Sequence, residues 1–169
     1  MSLYRLLQWI PAFRMMIQRW FINLYMERSL RKLSMKEIAE KVQLAGEHLV
    51  QELDTCVQNE ENRHLLRHII GIELWSQQRL RTIQGEPFEL DEVDRYLPPQ
   101  KESWSSLVHT FEKARSETVS LIRDLDDEAV KGIYIPHNQF GDFSVRSWIK
   151  YLTMHADMEA DKLIKKPAA

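Results

Sequence analysis

Apolar residues recur at spacings of three and four along most of this chain, which is the period of an α-helix. Five segments follow this pattern, and no stretch between them shows the convincing alternation of a β-strand. The sequence therefore predicts an all-α fold. The predicted helices cover about residues 3–33, 34–57, 61–84, 102–126 and 144–165.

A helix-start signal divides the chain into two parts. Ser34 and Glu37 have the spacing of a capping box, in which each side chain bonds the other residue's backbone N–H. We therefore predict an N-terminal helical extension, an additional amphipathic helix, over residues 1–34. The four later helices predict a four-helix bundle over residues 35–169.

The connections in this predicted bundle differ in length. Gly85 is suited to end the third helix, and Asp142 or Ser144 can cap the last one. Two loops, residues 86–100 and 127–142, are each roughly fifteen residues long. Loops of that length inside a bundle often carry function, so they are candidates for a role at a site.

The N-terminal extension has its own composition. It holds six basic residues and one acidic residue, whereas the whole chain has a net charge of −2. Pro11 predicts a kink or a restart within the helix. Two interpretations stay open: the helix packs on the bundle, including across a homodimer, or it lies on a membrane surface or a partner.

Composition excludes several classes of protein. The 169 residues, of which 28% are charged, are typical of one soluble globular domain, and the net charge gives no bulk attraction to nucleic acid. Cys56 is the single cysteine, so an intrachain disulfide is impossible and a cytoplasmic location is expected. We expect Cys56 to be a core thiol. No apolar run reaches the roughly twenty residues that a membrane-spanning helix needs.

Three residues of ligand type lie on the apolar stripes of two helices. His155 and Glu159 stand four residues apart on the last helix, where they continue the stripe of Trp148 and Leu152. His68 occupies the stripe of the third helix. Two imidazoles and a carboxylate suit a divalent ion and leave one coordination position open. The plainer alternatives are a hydrogen-bonded core histidine, and a His155–Glu159 pair satisfied by itself.

The other histidines are weaker candidates. His64 lies one turn before His68 but off the central stripe, and its surface interpretation is favoured. His48 and His109 are predicted at the rim or the surface. His137 lies in the second long loop, where it could reach the mouth of the site but is more often solvated. Asp157 and Asp161 are expected on a solvated face.

Two segments resemble the DinB-like (YfiT-like) putative metalloenzymes. The stretch "HLLRHIIGIELWSQQRL" is similar to their second helix, in which His68 falls on the first ligand position. The stretch "GDFSVRSWIKYLTMHADMEADKL" is similar to their last helix, in which His155 falls on the next ligand position. The resemblance covers roughly residues 36–165 and implies a four-helix bundle.

This resemblance also implies a function. The family holds a divalent ion, usually nickel or zinc, and includes thiol-dependent S-transferases and isomerases that use low-molecular-weight thiols. A hydrolase activity on a small-molecule substrate is a further possibility, and the catalytic and cofactor-binding residues are not specified. Glu159 replaces the family's usual histidine. That departure leaves open an alternative, in which the bundle is a non-catalytic binding or oligomerisation module that has lost its metal.

Overall fold

The computed structural model describes residues 24–167, and these residues are mostly helical, as predicted. A two-stranded sheet accompanies the helices. The helices are α1 (Met35–Asp54), α2 (Glu60–Arg81), α3 (Trp104–Arg123) and α4 (Val145–Ala160), with short 3₁₀ helices at Thr82–Gln84 and Val93–Tyr96. The strands are β1 (Tyr134–His137) and β2 (Gly141–Ser144).

The four helices contact one another in a closed sequence. α1 packs against α3, α3 against α2, and α2 against α4, which also touches α1. Their apolar faces form two clusters of buried side chains. One surrounds Trp148 and Phe143, and the other surrounds Phe111 and Leu66. The candidate ligands lie on α2 and α4, two helices in direct contact.

The predicted helix-end signals are present at three positions. Ser34 and Glu37 make both hydrogen bonds of a capping box at the start of α1. Ser144 caps α4 and accepts a hydrogen bond from the backbone N–H of Ser147. Gly85 follows the 3₁₀ turn after α2 with a φ of 98°, a conformation that favours glycine because it has no Cβ.

Replacing the α1 cap is expected to destabilise the fold modestly. Ser34→Ala should lower the free energy of unfolding by about 1 kcal/mol, because the backbone N–H of Glu37 loses its side-chain acceptor. Urea denaturation followed by circular dichroism measures the change. Ser29→Ala, at an exposed turn just before the cap, is the control and should change stability by less than about 0.5 kcal/mol. Equal effects of the two substitutions would contradict the capping role.

The second long loop contains a β-hairpin, so the expectation of no strand was wrong there. β1 and β2 pair antiparallel, with Ile135 opposite Phe143. Pro136 argued against a strand in the sequence, because proline is excluded from the interior of a wide sheet. Proline is tolerated on an edge strand, however. Both strands of a two-stranded ribbon are edges. The hairpin packs on α4, where the indole N–H of Trp148 donates to the carbonyl of Ile135 at 3.0 Å.

The last helix ends earlier than predicted, at Ala160 rather than near residue 165. The tail that follows turns back across the start of α2 because one buried side chain fixes it. Asn62 donates to the carbonyl of Ile164 at 2.8 Å and accepts from its N–H at 2.9 Å. The tail then pairs with Cys56, which is fully buried as expected, and burial raises the pKa of its thiol.

Part of the N-terminal extension packs on the helices. Met26 and Leu30 are buried, and Arg146 of α4 donates to the carbonyl of Leu30 at 2.9 Å. Pro11 and the rest of residues 1–23 lie outside the described residues, so both interpretations of that segment stay predictions. Between residues 24 and 167, no helix has the length and apolar character needed to cross a membrane.

Candidate metal centre

The three predicted ligands come together between α2 and α4. One ligand atom each from His68, His155 and Glu159 lies within 4.8 Å of the other two. The Nε2 atom of His155 is 4.0 Å from the Oε1 atom of Glu159, and the two imidazole ring centroids are 5.0 Å apart. The helical spacing of four places His155 and Glu159 on one face of α4, and the contact of α4 with α2 adds His68.

The protonation states suit metal ligands. Burial, together with the neighbouring His68, lowers the pKa of His155 to about 4. Burial also lowers the pKa of His68. Burial alone would raise the pKa of Glu159, but the hydrogen bond that it accepts from Lys162 and the positive charge of that lysine hold it below the usual value. At neutral pH the site therefore offers two neutral imidazoles and one carboxylate.

This donor set fits a divalent ion of the zinc or nickel type. Nitrogen and oxygen ligands lie about 2.0–2.2 Å from such an ion, so ligand atoms in a tetrahedral site are about 3.4 Å apart. The 4.0 Å between the Nε2 atom of His155 and the Oε1 atom of Glu159 exceeds that distance, so ion binding requires these two side chains to move closer together. All three residues are half-buried, which leaves the ion a route from solvent.

Two features depart from a fully built metal site. Metal-bound histidines usually donate their second N–H to an acceptor, but among the described residues the buried Nδ1 atom of His155 has no hydrogen-bond partner. Its ring is instead oriented by packing against Tyr151 and His68. In addition, the Nζ atom of Lys162 lies 2.6 Å from the Oε1 atom of Glu159, so a cationic side chain already contacts the carboxylate.

The remaining histidines and aspartates do not join this cluster. His48, His64 and His109 are exposed, as the sequence predicts. Asp157 and Asp161 are exposed as well. The surface interpretation of these residues is confirmed.

His137 was predicted to be solvated, and that interpretation was wrong. Only 7% of its surface is exposed, because the hairpin inserts it among aromatic rings. Its Nδ1 atom accepts hydrogen bonds from the backbone N–H groups of Gln139 and Phe140 at 3.1 and 3.4 Å. Tyr151 contacts both this histidine and a ligand of the metal candidate, with ring centroids 4.8 Å from His137 and 5.8 Å from His155. The surrounding rings are Trp75, Phe140, Phe143, Trp148 and Tyr151.

A buried ion pair between α2 and α3 escaped the sequence analysis. The Nη2 atom of Arg115 lies 2.9 Å from the Oε2 atom of Glu73, and both side chains are almost fully buried. Glu73 also accepts a hydrogen bond from the Thr118 hydroxyl at 2.6 Å, and that hydroxyl accepts one from Gln77. Glu73 lies directly between Ile72 and Leu74 on α2. Its position beside the apolar stripe was the sequence signal that could have indicated its burial.

A second buried ion pair ties the acidic loop to α2. The Nη1 atom of Arg79 lies 2.5 Å from the Oδ1 atom of Asp91, and both side chains are at most 6% exposed. Trp75 and Tyr96 also donate to the Asp91 carboxylate. Asn138, in the hairpin turn, donates to the Asp91 main-chain carbonyl at 2.8 Å. The two long loops are thus joined to each other and to α2 through one aspartate.

Comparison with protein-family models, with curated proteins and with solved structures gives no match. The resemblance to the DinB-like family therefore stands on the two sequence motifs alone.

Proposed function

We propose that this chain is a metal-dependent enzyme whose helices form a DinB-like four-helix bundle. His68, His155 and Glu159 would hold a divalent ion, nickel or zinc, in the core. The observation that carries this proposal is the convergence of three ligand atoms from two contacting helices within 4.8 Å. The two sequence motifs support His68 and His155 as ligands, and Glu159 stands where the family usually has a histidine.

The expected chemistry is that of a thiol-dependent S-transferase or isomerase, or of a hydrolase. A divalent ion with three protein ligands keeps a position open, at which it lowers the pKa of a bound thiol or water. The protein's own residues contribute a fixed arrangement. Burial keeps His68 and His155 neutral, and Glu159 supplies the negative charge. A low-molecular-weight thiol and a small-molecule substrate are the proposed reactants, and a homodimer without nucleic acid is the proposed state.

Removing His68 is expected to abolish tight metal binding. Residues that only hydrogen-bond to a metal ligand contribute about 10–100-fold to metal affinity, so loss of a direct ligand in His68→Ala should weaken binding by about 100-fold or more. Isothermal titration of tag-free protein with Zn²⁺ and Ni²⁺ measures the affinity. His64→Ala, one turn away on the same helix and exposed, is the matched control and should bind like wild type. Unchanged affinity of His68→Ala would show that the three residues do not hold the ion.

A second candidate function is a non-catalytic bundle in which an ion pair has replaced the metal. The contact between Lys162 and Glu159 favours it, because an ammonium group can neutralise the carboxylate without any ion. This candidate predicts that wild-type protein takes up neither Zn²⁺ nor Ni²⁺ in the same titration. Binding of one equivalent of either ion would exclude it.

A further inference from the structure

The third proposed ligand is shared with a lysine from the tail. The Nζ atom of Lys162 lies 2.6 Å from the Oε1 atom of Glu159, and Oε1 is also the oxygen that lies 4.0 Å from the Nε2 atom of His155. The ammonium therefore bonds the carboxylate oxygen that faces His155. The lysine thus occupies the carboxylate oxygen on the side of the proposed ion position.

The backbone around Lys162 is fixed, so this contact does not depend on a free chain end. The N–H of Lys162 donates to the carbonyl of Glu159 at 3.1 Å. Two residues later, Asn62 holds both the N–H and the carbonyl of Ile164, and Leu163 between them is buried. The chain thus places the lysine stem beside Glu159, while the ammonium end remains able to rotate because the side chain is 56% exposed.

Lys162 would weaken the binding of a divalent ion at this position in two ways. The bond between the ion and Glu159 would replace the charge-assisted hydrogen bond from Lys162, which is stronger than a neutral hydrogen bond. The ion and the ammonium would also repel each other across a partly desolvated space, where charges are poorly screened. Both effects act in the same direction, because each favours the site without the ion.

We infer that Lys162 is a built-in competitor for the metal, which sets the affinity of the His68, His155 and Glu159 site. The inference rests on the proposed function, and it concerns regulation of that same site. The ion binds only when the ammonium rotates away from Glu159 into solvent. Lys162 thereby keeps the affinity for divalent ions below that of the same three ligands without a lysine.

Replacing the lysine by an uncharged side chain of similar length is the direct test. Lys162→Met should bind Zn²⁺ or Ni²⁺ about tenfold more tightly than wild type, equivalent to about 1.4 kcal/mol, in isothermal titration. Lys162→Arg keeps the charge and should bind like wild type. Lys165→Met is the matched control, because Lys165 lies on the same tail, pairs with Glu52 and changes the net charge equally.

The gain should also require the carboxylate. In a Glu159→Gln background, Lys162→Met should give no tenfold gain, because the oxygen for which ion and ammonium compete is then uncharged. A gain that persists there would show a general effect of charge and would overturn the inference. Far-UV circular dichroism of each apo variant checks that the helices are intact.

The outcomes separate this inference from the proposed function. Wild type that binds the ion, with Lys162→Met no tighter than wild type, overturns the competition and leaves the metal site standing. No binding by either protein overturns the metal site and the competition together. Binding by Lys162→Met alone supports the competition and shows that the ammonium excludes the ion from wild type.

Discussion

Replacing Arg115 by methionine is expected to lower the free energy of unfolding by about 3–5 kcal/mol, the largest effect predicted for this chain. The substitution removes the ion-pair partner of Glu73, whose side chain is 1% exposed and lies between α2 and α3. An ionised carboxylate that is buried there without a partner has lost its hydration, and the remaining protein contacts compensate for little of that loss. The Thr118 hydroxyl is then its only hydrogen-bond donor among the described residues.

A double substitution distinguishes a lost ion pair from lost packing. Glu73→Leu combined with Arg115→Met removes both charges, and it should recover most of the stability, because buried pairs cost much desolvation. Urea denaturation of wild type, both single variants and the double variant gives the coupling free energy. Additive single effects, or a loss below about 1 kcal/mol in Arg115→Met, would show that the pair is not buried as described.

The arginine also explains a glycine in α1. Gly46 faces the Arg115 stem so closely that a Cβ atom at position 46 would lie 2.5 Å from its Cγ atom. The guanidinium continues past this gap, where its Nη1 atom donates to the carbonyl of Val42 at 3.3 Å. α1 and α3 can therefore pack with a charged side chain passing between them.

The helices and the candidate site were predictable because both depend on spacing within a helix. Periodic apolar residues placed α1 to α4 to within about five residues, and Ser34 and Ser144 fixed two starts through local hydrogen bonds. His155 and Glu159 needed only the rule that residues four apart share a face. His68 needed one further assumption, that the stripes of α2 and α4 meet, which the helix contacts bear out.

The remaining features depend on contacts between distant segments, which spacing does not reveal. Glu73 and Arg115 are separated by 42 positions, and each alone resembles a charged residue at the edge of a stripe. The early end of α4 depends on Asn62, which is 102 residues from Ile164. His137 is buried because Trp148 and Tyr151 lie beneath the hairpin, and this packing is absent from its local sequence.

The burial of His137 predicts that stability falls as the solution becomes more acidic. Burial, together with the positive charge of Arg79, lowers the pKa of His137 to about 4, against an ordinary value of 6.5. Between these values the unfolded chain binds a proton that the folded chain does not, so acid favours unfolding. The free energy of unfolding should drop by about 3 kcal/mol from this residue as the pH falls from 6.5 to 4.

Hydrogen bonds strengthen this prediction. The Nδ1 atom of His137 accepts from two backbone N–H groups, those of Gln139 and Phe140, so the proton of the neutral ring is on Nε2. A second proton must go to Nδ1, where it would break both bonds of the hairpin turn. Protonation thus opposes the turn itself as well as charging a ring among aromatic side chains.

His137→Asn isolates the effect, because the Oδ1 atom of asparagine can accept the same two hydrogen bonds but does not titrate in this range. Near pH 7 the variant should be less stable than wild type, since it fills less of the aromatic cluster. That deficit should shrink by about 3 kcal/mol between pH 6.5 and 4, as wild type alone loses the contribution of its histidine.

Urea denaturation of both proteins at several pH values measures this difference in stability. The other titrating groups, including His155, are present in both proteins and cancel in the difference. Stability curves that stay parallel across this range would mean that His137 takes up its proton without disturbing the fold.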